Sequence, residues 1–140
     1  MNVPPGAPPP AAQTNSGARD LIGFVVHPPS AEGRTRVTLD VGPQHLNYHG
    51  IAHGGIVAVL LDTASGQAAS THFMTGAERP AVLTITLTVN FLRPCLPGPV
   101  QAIARATGGG RKTVTCEAEL LDASGEVLAK SMGVFKLVGR

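Results

Sequence analysis

The chain has 140 residues, 43% hydrophobic and 14% charged, with a formal net charge of +2. That is enough chain for one domain with its own core, and too apolar for a disordered protein. The weak charge and the scarcity of aromatics (four Phe, one Tyr, no Trp) speak against nucleic acid or a membrane surface as partners.

Residues 1–18 are rich in proline, alanine and small polar residues. They predict a disordered tail, leaving 19–140 as the folded domain. The tail lacks the apolar run of a signal peptide, and no stretch reaches the roughly 18 apolar residues of a membrane span. Cys95 and Cys116 fit no disulfide framework and no metal-ligand spacing. They read as buried thiols in a reducing compartment, so the expected location is cytoplasmic.

In chain order, Leu21–His27 is a β-branched, aromatic run stopped by Pro28 and Pro29. Arg34–Val41 alternates polar and apolar between Gly33 and Gly42, and the two runs predict a hairpin-like pair. Residues 44–52 read as loop, with His45 and His49 solvated. From Gly54 to about Met74 the chain is rich in Ala, Leu and Val without proline, which predicts one long helix with Gly66 as its weak point. Ala81–Leu92 alternates again, with Leu83, Ile85, Leu87, Val89 and Phe91 on one face and Thr84, Thr86, Thr88 and Asn90 on the other. Two further alternating runs flank Gly108–Gly110, and a last one follows Ser124-Gly125. This order predicts an α+β domain: an antiparallel meander, curved around one central helix. Because Ile56, Val57, Val59, Leu60 and Leu61 cover most directions of that helix, it must be enclosed. A single small sheet would leave an edge exposed, so a second copy of the chain is the expected partner.

His53-Gly54-Gly55 stands at the start of this helix, where backbone N–H groups have no internal partner and the dipole is positive. Glycine there admits a ligand to the main chain, so the Gly54 N–H can serve as an oxyanion donor. The plain alternative is a tight loop-to-helix turn. Asp62 is a carboxylate within an apolar helix, which is costly unless it is paired or has a task. It lies half a turn out of phase with His53 and roughly 13 Å along the axis. The two cannot meet on one straight helix, but antiparallel helices of two copies could bring them together. Otherwise Asp62 is a satisfied aspartate bonded near Thr63 or Ser65, or to the sheet. The H-x3-H-x3-H spacing of His45, His49 and His53 is interrupted by Asn47, Tyr48 and Gly50, and is not read as a metal site. Gly108–Thr113 lacks the spacing and helix of a phosphate loop, and Arg111 and Lys112 read as turn residues.

The pattern Asn47-x5-His53-Gly54-Gly55-x6-Asp62, followed by Val89–Pro94 and Asp122–Leu137, resembles the hotdog-fold acyl-CoA thioesterases, in particular the PaaI type. The resemblance runs from about residue 20 to the C-terminus. It implies hydrolysis of an aryl or short- to medium-chain acyl-CoA, without cofactor or metal, at a site shared between subunits of a homodimer and commonly a homotetramer. In that scheme Asp62 is the catalytic acid, as nucleophile or as general base, and Gly54 is the oxyanion donor. His53 holds the thioester and the loop, Asn47 positions the carbonyl or the water, and Thr84 orients the water. Some relatives carry Glu at position 62 and a hydroxyl at position 66, where this chain has Gly66. Gly55, Val57 and Leu61 are expected to line the substrate pocket, and Arg93, Arg111 and Lys112 to meet the nucleotide end of CoA. A non-catalytic binding module for acyl-CoA or another small ligand is the alternative on the same fold.

Overall fold

The computed structural model describes residues 16–139. The expected tail, residues 1–18, lies outside them apart from its last three residues. Ser16 caps α1 (Gly17–Ile22), its hydroxyl accepting from the Arg19 N–H, and Gly23 ends the helix at φ 90°. That left-handed turn takes Leu21 and Ile22 into the helix, not into the expected strand, because glycine at this φ terminates a helix. β1 is confined to Val25–His27 and pairs with β2 (Thr35–Val41). A short 3-10 turn at Pro43–His45 leads through a loop to α2 (Gly54–His72), a single unbroken helix as its composition predicts.

Four strands follow: β3 (Val82–Phe91), β4 (Gly98–Gly109), β5 (Thr113–Asp122) and β6 (Val127–Leu137). The sheet is antiparallel throughout, in the order β1-β2-β4-β5-β6-β3. The uninterrupted meander expected from sequence is therefore corrected. β4, β5 and β6 form one, while β3 lies beyond β6. Pro94 and Pro97 bar a tight hairpin after β3, and the connection instead crosses the N-terminal end of α2. There the carbonyl of buried Cys95 accepts from the Ala52 N–H at 2.8 Å. The N–H groups of Leu92 and Arg93 both bond to the Leu128 carbonyl, tying the crossing to the start of β6.

α2 packs against β2 through β6, burying Val57, Leu60, Leu61, Ala64, Ala68 and Ala69. Small residues on the sheet (Ala102, Ala104, Ala118, Ala129) let the helix approach closely, and Phe135 fills the space beneath its C-terminal half. The Thr35 hydroxyl donates to the Ala64 carbonyl at 2.6 Å, pinning the middle of α2 to β2. No helix among the described residues is long and apolar enough to cross a membrane.

One irregularity matters for the site. The strict alternation of β3 is broken by a bulge between Thr84 and Thr86. Beyond the bulge, Leu87, Val89 and Phe91 pair with Gly133, Ser131 and Ala129; before it, Thr84 pairs with Phe135 and Val82 with Leu137. Since Ala129, Ser131 and Phe135 are buried beneath α2, Thr84 and Val82 share the helix-facing side with Leu87, Val89 and Phe91. Leu83 moves to the outer face, opposite Lys136. The two-faced reading of this strand thus holds only after residue 86.

Gly133 makes room for the bulge. A Cβ there would stand 2.9 Å from the Phe135 ring, 3.0 Å from the Thr86 carbonyl oxygen and 3.2 Å from Leu87. Gly133→Ala is expected to cost about 1–3 kcal/mol of stability through overpacking, seen as a lower urea midpoint at unchanged slope. An unaltered midpoint would mean that the strands do not approach as described. Phe135→Ala should cost more, about 3–5 kcal/mol.

Candidate active site

The loop before α2 is organised by two side chains. His45, expected to be solvated, is 3% exposed. Its Nδ1 accepts from the Gly42 N–H at 3.0 Å and its Nε2 donates to the Ile22 carbonyl at 2.7 Å. The imidazole is buried because it links the 3-10 turn to the end of α1. Asn47 Oδ1 accepts from the His49 N–H at 2.9 Å and the Ile51 N–H at 3.4 Å, while Gly50 turns the chain at φ 75°. The Asn47 carboxamide oxygen thus shapes the loop, leaving its NH₂ group as the remaining donor.

The His53 N–H bonds to the His45 carbonyl, and His53 caps α2 by accepting the Gly55 N–H at Nδ1, at 2.9 Å. With Nδ1 an acceptor, the neutral ring carries its hydrogen on Nε2. The Gly55 N–H is therefore occupied, whereas the Gly54 N–H has no partner among the described residues. Gly54 lines a cleft of about 360 Å³ together with Asn47, Val57, Phe91, Arg93 and Cys95. A Cβ at position 54 would lie 3.4 Å from the Phe91 ring, so the glycine keeps the cleft open beside the amide. Phe91 and Cys95 reach this cleft through the crossing after β3, a connection that only Pro94 and Pro97 hint at in sequence. Burial, reinforced by Asp122, pushes the Cys95 thiol up from its ordinary value, so it is a neutral wall and not a nucleophile at neutral pH. Cys116, also buried, is pushed up to about 11.

Asp62 stands half-buried on α2. The Thr84 hydroxyl donates to its Oδ1 at 2.8 Å, and its other oxygen has no partner among the described residues. Of the partners considered from sequence, the sheet residue is the one found. The Thr84 proton is consequently directed at the carboxylate. Asp62 is eight residues along an unbroken helix from Gly54, about 12 Å by helical rise.

The remaining candidates are scattered. Val57 lines the cleft, but Leu61 is fully buried in the core. Arg93, at the cleft, pairs with Glu126 at 3.0 Å, with both side chains about half exposed. Arg111 and Lys112 are exposed in the β4–β5 turn, near the C-terminal end of α2, where His72 Nε2 lies 3.3 Å from the Gly110 carbonyl. They are thus at the opposite end of the helix from Gly54. Nδ1 of both His45 and His53 is taken up by a backbone N–H, and no cluster of three or more metal-ligating side chains occurs among the described residues.

Comparison with known proteins matches residues 49–129 to the family model of the thioesterase superfamily. A protein of Pseudomonas aeruginosa, provisionally named an esterase, is 31% identical over 98% of both chains. The PaaI protein from the phenylacetic acid degradation operon of Escherichia coli superposes with a TM-score of 0.78 and 27% identity, covering 89% of this chain and 86% of that one. A single-site mutant of the phenylacetic acid degradation protein PaaI from Thermus thermophilus gives 0.74 at 27% identity, over 86% and 98% of the two chains. With the sheet wrapped on one helix and the match spanning the Gly54 loop, α2 and the strands around it, the chain belongs to the thioesterase superfamily, as a PaaI-like member with the hotdog fold.

Proposed function

We propose that the protein hydrolyses an acyl-CoA thioester at a site assembled from two copies of the chain. The observation that carries this reading is Asp62, held at one oxygen by Thr84 and without a partner at the other among the described residues, on the same unbroken helix as the likewise unpartnered Gly54 N–H but about 12 Å from it. Helices of two protomers packed antiparallel would set Asp62 of one against Gly54 of the other. The edge of the sheet supports such pairing. β3 is a ten-residue edge strand without proline, with Leu83, Ile85 and Phe91 exposed, whereas the opposite edge, β1, has three residues. We take the assembly to be a homodimer, two of which associate as a tetramer.

In the proposed reaction the Gly54 N–H donates to the thioester carbonyl oxygen and stabilises the charge that develops on it. The free oxygen of Asp62 drives attack on the carbonyl carbon, directly or by taking a proton from water. With water as nucleophile, the C–S bond breaks and the thiolate of CoA leaves, taking up the proton that Asp62 removed from the water. With Asp62 as nucleophile, its oxygen bonds the acyl carbon as the thiolate leaves. Water then cleaves the mixed anhydride, freeing the acid and the carboxylate and supplying the proton the thiolate takes up. Thr84 keeps the carboxylate aimed and is a positioning residue for it. The NH₂ group of Asn47 and the Nε2–H of His53 remain available to hold the substrate beside Gly54. A thioester carbonyl is activated already, so one carboxylate and one backbone donor suffice. The names of the E. coli and T. thermophilus relatives, both from phenylacetic acid degradation, support an aryl group among the aryl and short- to medium-chain acyl groups expected.

Free-thiol release from a panel of aryl, short-chain and medium-chain acyl-CoAs tests this directly. Asp62→Asn should lower turnover at least ~10²-fold, and Thr84→Val roughly tenfold, the loss of one hydrogen bond to a charged group. Binding without turnover across the panel would favour the binding-module alternative. A separate arm isolates the amide. His53 has φ −56° and ψ 137°, the conformation that precedes proline readily, and position 54 opens the helix, where proline is tolerated. Gly54→Pro replaces the N–H by a ring carbon, whereas Gly54→Ala keeps the N–H and adds only a Cβ beside the Phe91 ring, so the kcat of the proline variant should fall well below that of the alanine variant. Equal losses in the two variants would contradict the oxyanion role.

A further inference from the structure

A second cleft, of about 620 Å³, lies between α1, β1 and α2, and its lining includes Arg19, Pro28, Pro29, Thr63, Gln67 and Arg79. We infer that this cleft receives the diphosphate-bearing nucleotide end of CoA, held by Arg19 and Arg79. The inference rests on the acyl-CoA reading above and moves the nucleotide end away from the Arg111–Lys112 turn.

Three observations carry it. The first is charge. Among the described residues neither Arg19 nor Arg79 has a carboxylate partner within ion-pair distance, whereas Arg93, Arg105 and Lys130 each pair with a glutamate. Arg111 and Lys112 are unpaired too, so charge admits both places and the next two observations choose between them. The second is preorganisation. Arg79 Nη1 donates to Oε1 of Gln67, one of the residues lining the cleft. A neutral amide fixes the guanidinium without cancelling its charge, leaving the rest of its fork for an anion. Arg19 is half-buried, while Arg79 is exposed like Arg111 and Lys112, so its bond to Gln67 is what sets it apart from them. The third is position. Thr63 follows Asp62 directly on α2, one residue round the helix, and Gln67 is about one turn further. The cleft thus begins one residue along the helix from Asp62, which is not itself part of the lining. Its apolar wall, Pro28 and Pro29 together with Phe24 and Val26, suits the flat face of a purine beside the phosphates.

The test has one arm that does not need turnover and one that does. Calorimetric titration with free CoA compares wild type with Arg19→Gln/Arg79→Gln, with Gln67→Ala, and with Arg111→Ala/Lys112→Ala. The Arg19/Arg79 variant should bind CoA at least tenfold more weakly, as expected for the loss of charge-assisted contacts to phosphate. Gln67→Ala should shift binding in the same direction by less, since it frees Arg79 without removing it. Unchanged affinity in the Arg19/Arg79 variant, or a loss confined to Arg111 and Lys112, overturns the assignment. The second arm compares hydrolysis of one acyl group carried on CoA and on N-acetylcysteamine, which lacks phosphates and nucleotide. The ratio of kcat/KM, CoA over truncated thioester, should fall at least tenfold in the Arg19/Arg79 variant, and an unchanged ratio counts against the cleft. If wild type hydrolyses neither substrate, the thioesterase reading fails on its own, while the CoA titration still decides the cleft.

Discussion

The hydrogen bond from Thr84 to Asp62 depends on a register shift in a neighbouring strand, and much of the proposed chemistry depends on that bond. A carboxylate on a helix enclosed by a sheet must find a donor or move to water. The bulge in β3 supplies the donor by turning Thr84 onto the helix-facing side, and Gly133 supplies the space the bulge needs. A regular β3 would direct Thr84 outward and place an apolar neighbour against Asp62. Fold stability and site geometry are therefore linked through one local departure from regular sheet.

The other half of the site follows from how a helix starts. Two N–H groups stand at the first turn of α2, and the chain treats them differently. The Gly55 N–H is capped by the ring of His53, while the N–H of Gly54, a residue that lines an apolar cleft, has no partner among the described residues. An uncapped donor at the positive end of a 19-residue helix is suited to a developing negative charge, and the glycine leaves room for the group that bears it. The same His53 accounts for both effects, since its ring holds Gly55 while its backbone, anchored to His45, sets the angle at which the chain enters the helix.

Much of this was legible in the sequence. The long helix shows as an apolar run without proline, the strands as alternation between glycine and proline breaks, and Asp62 as a charge where none is expected. Its distance from Gly54 follows from helical rise alone. What was not legible depends on contacts distant in sequence. The residues Leu83, Ile85 and Leu87 alternate without a blemish, so the bulge shows only once β3 lies against Gly133 of β6. His45 looks like a loop residue until the Ile22 carbonyl is placed beside it. The position of β3 beyond β6 is not written in any single segment. Arg79, in a turn-like stretch, gains meaning only from its bond to Gln67.

In the proposed dimer one catalytic centre takes Gly54 from one protomer and Asp62 from the other, so two defective chains, mixed, should restore each other's activity. Asp62→Asn and Gly54→Pro chains, each inactive alone, would be co-expressed with different tags and assayed for thiol release. Random pairing makes about half of the dimers mixed, each with one intact site, so about a quarter of wild-type activity should return. Mixed dimers that form but remain inactive would contradict the shared site and require each chain to carry its own.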